Sequence, residues 1–274
     1  MTNRIAVMGV VAAVGCAAAL GEVRTYEVEI SSHWTTMTHP GAFPNNAHLT
    51  PFAGAVHNAD VSLWSVGALA TPGLKQLAET GSNGIFANEA QAAVDAGDAF
   101  AVIQRTRWVC PPQISHSLCG TGMFEIEVDS DYPLVTLASM IGPSPDWFVG
   151  LVAEPMMVDG GWVIEKSLPM HPYDGGTRSN DDSFALFGPL NDPPQPVSLI
   201  TDETGQLIGG QSIGTFTFRL KCPADLNGSG DVDGSDLAVL LAAWGQPGGT
   251  DLNQDGTTNG GDLAVLLAAW GTCE

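Results

Sequence analysis

The sequence predicts a mainly β protein: an antiparallel β-sandwich followed by a small all-α module made of a duplicated loop–helix unit. Three observations carry that prediction. Short apolar runs, several alternating with period two, recur along residues 22–221 and are separated by Gly- and Pro-containing turns. Near the C-terminus, DLNGSGDVDGSDLAVLLAAWG (Asp225–Gly245) is followed by DLNQDGTTNGGDLAVLLAAWG (Asp251–Gly271), with DLAVLLAAWG identical in both. Four cysteines, Cys110, Cys119, Cys222 and Cys273, fall at places where a cross-link would clasp a loop or the repeat itself.

In chain order, residues 1–21 read as an export signal. Arg4 supplies the charge, Ile5–Val14 the apolar stretch, and Ala17–Ala19 or Ala19–Gly21 the small residues for cleavage. Ala13-Val14-Gly15-Cys16 also suits a lipoprotein signal with Cys16 as the anchor, so secretion and lipid anchoring both stay open. The sandwich then opens at Thr25, where Tyr26, Val28 and Ile30 alternate with Thr25, Glu27 and Glu29. The same alternation returns at Phe124, Ile126 and Val128 and at Phe216, Phe218 and Leu220. Further strands are expected at Phe100–Ile103, Leu134–Ile141, Trp147–Val152 and Trp162–Ile164, and short helices at Gly73–Glu79 and Asn88–Ala96. Many short strands with turn residues between them indicate an antiparallel sandwich.

Of the five cysteines, Cys16 would leave with the signal, and the even number that remains in an exported chain suggests two disulfides. Cys222 and Cys273 bracket the repeat and should close it, while Cys110 and Cys119 should close a Pro-containing loop between strands. Zinc is a poor alternative, because neither pair has a CxxC spacing. Residues 222–274 thus form the second module, joined near Cys222-Pro223 with little linker.

Each copy of the repeat carries oxygen-bearing side chains at its first, third, fifth, ninth and twelfth positions. These are Asp225, Asn227, Ser229, Asp233 and Asp236 in one copy, and Asp251, Asn253, Asp255, Asn259 and Asp262 in the other. Gly230 and Gly256 take the sixth position, and Asp231 and Thr257 offer backbone carbonyls at the seventh. That is the spacing of an EF-hand-type calcium loop, in which a hard cation is wrapped by six to eight oxygens and Gly makes the sharp bend. The helices that follow, LAVLLAAW, are apolar around most of their circumference and should bury against each other. Taken together, Ala224–Gly271 resembles a type I dockerin, which implies two calcium ions and docking onto a cohesin partner. Ser229 stands where an acid is usual, and Gly234-Ser235 and Gly260-Gly261 stand where dockerins carry partner-recognition residues.

Three segments of the larger domain, Ser31–Gly67, Ile141–Leu151 (IGPSPDWFVGL) and Tyr173–Thr201 (beginning YDGGT), resemble the spondin domain of F-spondin and its bacterial relatives. The resemblance implies a β-sandwich like a C2 domain, a calcium site on loops at one end, and a matrix or cell-surface role. It assigns Asp146 and Asp174 as ligands. At the third ligand position this chain has Arg178, so either Asp181 or Asp182 replaces the missing acid or the cation pairs with Asp174.

Composition narrows the function further. The chain carries 30 acids against 9 Lys and Arg, a net charge of −21. That argues against nucleic acid, whose phosphates need a basic surface, and against anionic lipid. Halophilic solubility or a calcium-rich extracellular setting would each account for the acid excess. His33, His39, His48 and His57 have no zincin spacing and read as packed or loop-bonded side chains. Ser115-His116 has no GxSxG elbow to support it. The expected function is therefore non-catalytic: an exported calcium-binding adhesion or matrix protein whose tail attaches it to an extracellular protein, such as a cohesin-like domain, or to a surface. Two rivals remain. One is a cohesin-docked glycan binder, which exposed Trp34, Trp64 or Trp147 would favour. The other is a sandwich hydrolase with paired carboxylates in an open cleft.

Overall fold

The computed structural model describes residues 21–179, 184, 186–201 and 212–273. Residues 1–20 of the expected export signal, Cys16 among them, and the candidate replacement ligands Asp181 and Asp182 lie outside the described residues. The strands of the larger unit run β1 (Val23–Ser32), β2 (His48–Leu49), β3 (Ala53–His57), then helices α1 (Pro72–Thr80) and α2 (Gly84–Ala96). They continue as β4 (Ala99–Gln104), β5 (Met123–Asp129), β6 (Leu134–Gly142), β7 (Trp147–Pro155), β8 (Met157–Val158), β9 (Gly161–Trp162) and β10 (Glu165–Pro169). Three more strands follow, β11 (Pro172–Asp174), β12 (Ser198–Leu199) and β13 (Gly214–Leu220). The repeat contributes β14 (Asp231–Val232), α3 (Gly234–Ala242), α4 (Gly260–Ala268) and β15 (Gly271–Thr272).

The strands make two principal antiparallel sheets, one in the order β10-β13-β1-β5 and one in the order β12-β11-β7-β6-β3-β4, with β2 also paired to β6. Hydrophobic pattern separates the two. On β1, Tyr26, Val28 and Ile30 are buried while Thr25, Glu27 and Glu29 are half-exposed, so this sheet buries one face. On β6 the run from Val135 to Gly142 is buried throughout, because its sheet is covered on both sides. Val135, Leu137 and Ile141 meet Tyr26, Val28, Phe216 and Phe218 between the sheets. Ala53, Ala55, Ala138 and Phe148 instead meet Leu74, Leu77, Phe86 and Ala90 of the helices on the outer face. Thr71 caps α1 by accepting from the Leu74 amide, Pro72 opens it, and Gly81 ends it in the left-handed region at φ 73°.

Two expected elements differ. The Trp162–Ile164 strand is only the short β9, and the long strand begins at Glu165, because β9 is used in a two-residue hairpin with β8. The second helix starts at Gly84 rather than Asn88, so that Phe86 reaches the outer core.

Both disulfides form: Cys110–Cys119 with Cα atoms 5.7 Å apart, and Cys222–Cys273 with Cα atoms 5.6 Å apart. The repeat has its own small core of Ala224, Val232, Leu240, Leu252 and Leu266, against which Ile164 of the larger unit also packs. It folds with internal two-fold pairing. Asp231-Val232 pairs with Gly271-Thr272 after α4, and Thr258 exchanges hydrogen bonds with Gly245 and Gln246 after α3. The helices meet each other as expected, through Leu240 and Leu266 in one core. The contact covers only a stripe of each, and Leu241, Trp244, Leu267 and Trp270 remain about half exposed, Trp244 and Trp270 at 47% and 49%.

Candidate metal centres

At one end of the sandwich, the turn between β6 and β7 carries Asp146, and the strand β11 ends at Asp174. Asp146 is fully buried. Its Oδ2 accepts from the Thr177 amide (2.7 Å), the Thr177 hydroxyl (3.0 Å) and the Arg178 amide (2.8 Å). Its Oδ1 is buried with no hydrogen-bond partner. Burial, and then the charge of Asp174, push the Asp146 carboxyl up to about 6. Glycine is required beside it: a Cβ on Gly175 would stand 2.9 Å from the Asp146 carbonyl oxygen. A buried carboxylate oxygen left bare beside a second carboxylate is costly, and a cation is what would relieve it. The donors are all oxygens, which suits calcium.

Arg178 turns away from the place that the sequence alone allowed for it. Its Nη2 donates to Glu79 Oε2 at 2.8 Å and its Nη1 to the Gly188 carbonyl at 2.7 Å. Glu79, on α1, has its Oε1 2.8 Å from the Thr177 hydroxyl, whose single proton is shared between Glu79 and Asp146. Sequence reading missed Glu79, whose partner Thr177 lies 98 residues away. The available signal was an acid on the last turn of an amphipathic helix, otherwise a poor place for it because it faces the carbonyl end.

In the repeat, the sixth-position glycines have the positive φ that the bend needs, 89° at Gly230 and 100° at Gly256. Their amides donate to the first-position acids, Gly230 to Asp225 Oδ2 at 2.9 Å and Gly256 to Asp251 Oδ2 at 2.8 Å. The twelfth-position acids close a capping box at the head of each helix. Asp236 accepts from the amides of Leu226, Asn227 and Asp233, and Asp262 from those of Asn253 and Asn259. In the second loop the third, fifth and ninth side chains converge. Asn253 and Asn259 donate to Asp255 at 3.0 Å each, and Asn259 also reaches the Thr257 carbonyl at 2.8 Å. These carboxamides, Asn259 first, hold the Asp255 carboxyl below the usual carboxylate range. In the first loop only Ser229 and the Asp231 carbonyl meet in this way, at 3.1 Å; Asp233 caps the Ser235 amide as Asn259 caps that of Gly261. Both loops supply oxygen donors alone, a set that fits a hard divalent ion. Among the described residues no three His, Cys, Asp or Glu side chains converge on one point, so asparagine, serine and carbonyl oxygens must complete either loop.

The histidines are loop-bonded or packed. His57 is fully buried between the Thr136 hydroxyl (2.7 Å) and the Asn58 carbonyl (2.6 Å), and His48 stacks on Trp108 at 3.8 Å. His39 contacts the Thr38 hydroxyl at 2.9 Å and His33 the Ser212 carbonyl at 3.1 Å. Trp34, Trp64 and Trp147, the side chains that would have made a glycan platform, are core residues with 0–3% exposure. Among the described residues no helix is long and apolar enough to cross a membrane.

The Spondin_N family matches residues 24–206 of the chain. Spondin-1 of Gallus gallus and of Homo sapiens are each 32% identical to it over 178 residues, 64% of this chain and 21% of theirs. Spondin-2 of Homo sapiens is 29% identical over 199 residues, 72% of this chain and 57% of its own length. The chain therefore spans about a fifth of the first of these relatives and just over half of the second. The matched residues carry the sheet covered by the helices, the covering helices, every strand of the other sheet but β13, and the Asp146–Asp174 end of the sandwich, and the chain belongs to the Spondin_N family.

Proposed function

We propose that this protein is an exported, non-catalytic, calcium-stabilised adhesion or matrix-interaction protein, with the C-terminal repeat as its attachment module. The observation that carries the attachment role is the paired exposure of Leu241 and Trp244 on one half of the repeat and Leu267 and Trp270 on the other. Large apolar side chains left half-exposed at equivalent positions mark a contact surface for another protein. A cohesin-like domain of an extracellular partner is the occupant that the dockerin resemblance implies.

Calcium has an ordering role in this reading. Asp225, Asn227, Ser229, Asp233, Asp236 and the Asp231 carbonyl would hold one ion. Asp251, Asn253, Asp255, Asn259, Asp262 and the Thr257 carbonyl would hold another. Asp146 and Asp174 would hold a third in the sandwich. Each ion would offset the repulsion of clustered acids and couple metal binding to folding. The full burial of Asp146 speaks against a hydrolytic role for it, since a general acid must reach its substrate.

The test is binding of the mature chain to a panel of immobilised cohesin domains and matrix proteins, with calcium and with chelator. Calcium-dependent binding lost in the Trp244→Ala, Trp270→Ala double variant supports the role. Binding to none of them, or binding indifferent to both tryptophans, rejects it.

A further inference from the structure

The two loops of the repeat share their skeleton but not their surroundings. Arg24, on β1 of the sandwich, reaches into the first loop, where its Nη1 stands 3.1 Å from Asp225 Oδ2. Its Nη2 lies 2.6 Å from Glu22 Oε1. The guanidinium is held there by burial: its side chain is 8% exposed, and that of Asp225 5%. Asp225 is the first-position acid, the residue that begins the calcium ligand set. A Cβ on the neighbouring Gly228 would stand 3.3 Å from Glu22 Oε1 and 3.7 Å from Arg24 Cζ, so both side chains press on this loop. Among the ion pairs of the described residues, none reaches Asp251, the equivalent acid of the second loop.

We infer that Arg24 sets the calcium affinity of the first loop. A guanidinium paired with the first carboxylate both repels a divalent cation and occupies an oxygen the ion needs, and in a buried setting neither effect is screened away. The second loop fills first. The first loop fills only when Asp225 exchanges the sandwich for the ion, so late calcium binding loosens the Arg24 contact between the two units. The inference rests on the reading that the repeat binds calcium.

The experiment is a calcium chloride titration of the mature chain followed by NMR at the amides of Gly230 and Gly256. Each amide donates to the first-position acid of its own loop, so each reports one loop, and Gly230 reports the very oxygen that Arg24 holds. The expected result is a midpoint for Gly256 at least about tenfold lower in calcium than that for Gly230. Arg24→Gln should lower the Gly230 midpoint by about the same factor and leave Gly256 unchanged, while Arg24→Lys, which keeps the charge, should hold the gap open. Because Arg24 is buried, Ser229→Asp provides an arm that leaves the junction intact. The gap should survive that added carboxylate. Coincident midpoints in the unaltered protein, a gap unchanged by Arg24→Gln, or a gap closed by Ser229→Asp would each overturn the inference while leaving calcium binding in place. Silence of both glycines would instead reject the calcium reading itself.

Discussion

The two halves of the repeat end in the same ten residues and fold to the same nine-residue helices with the same capping boxes, yet they meet different neighbours. The first loop lies against β1, with Arg24 and Glu22 on it; the second gathers its own asparagines around Asp255. Duplicated sequence therefore specifies duplicated backbone, not duplicated sites. Part of the difference lies in the loops themselves, where Ser229 and Asp233 stand opposite Asp255 and Asn259, and part in one contact, from a residue 201 positions away along the chain, that only the first copy receives.

Several experiments would break or sharpen that comparison. The largest effect is expected from the clasp the two halves share. Replacing Cys222 and Cys273 by serine opens a bridge between residues 51 apart and should cost about 4 kcal/mol by loop-closure entropy. The small repeat core should then melt in chelator while the sandwich stays folded, read by far-UV circular dichroism on heating. Next come the twelfth-position acids. Asp236→Ala and Asp262→Ala each remove a capping box and leave backbone donors unpaired, a cost of roughly 2–3 kcal/mol. In chelator the two should be similar; at low calcium the Asp262 variant should lose more, because its loop is the one already filled. Equal losses in both conditions would remove the distinction between the halves.

A smaller effect, of about 1 kcal/mol, is expected in the sandwich. Asp146→Asn keeps the shape but removes a buried charge beside Asp174, so it should raise the midpoint of thermal unfolding in chelator and lower it in calcium. A change of the same sign in both would mean that Asp146 is a turn residue and no ligand. The smallest effect is expected at Trp244 and Trp270. Each is about half exposed, so phenylalanine at either, which gives up only a small part of the buried ring area, should cost under about 1 kcal/mol in stability, even though binding to a partner is weakened. A much larger loss would mean that these rings are structural.

What was legible in the sequence divides along the same lines. Period-two alternation located β1, β5 and β13 because their sheet buries one face. It could not separate the two buried faces of β6, where every second residue serves a different core. Period and cysteine placement gave the repeat, its helices and both disulfides, since these depend on local spacing. Asp146 and Asp174 were singled out through the resemblance of the GPSPDW and YDGGT segments to the spondin domain, since spacing alone does not separate them from other acids in turns. Glu79 was not found, because its place beside Thr177 depends on how α1 packs on the sheet. Arg24 was hidden for the same reason: on β1 it reads as one charged residue before an alternating strand. The exposure of Trp244 and Trp270 was missed because an apolar helix gives no sign of how many partners it will have.

The most direct test of calcium as the ordering ligand is native mass spectrometry of the mature, oxidised chain at rising calcium and then with chelator. The account expects three ions at saturation, the last joining only at the highest concentrations, and none after chelation. A chain that retains no calcium at any concentration would contradict it.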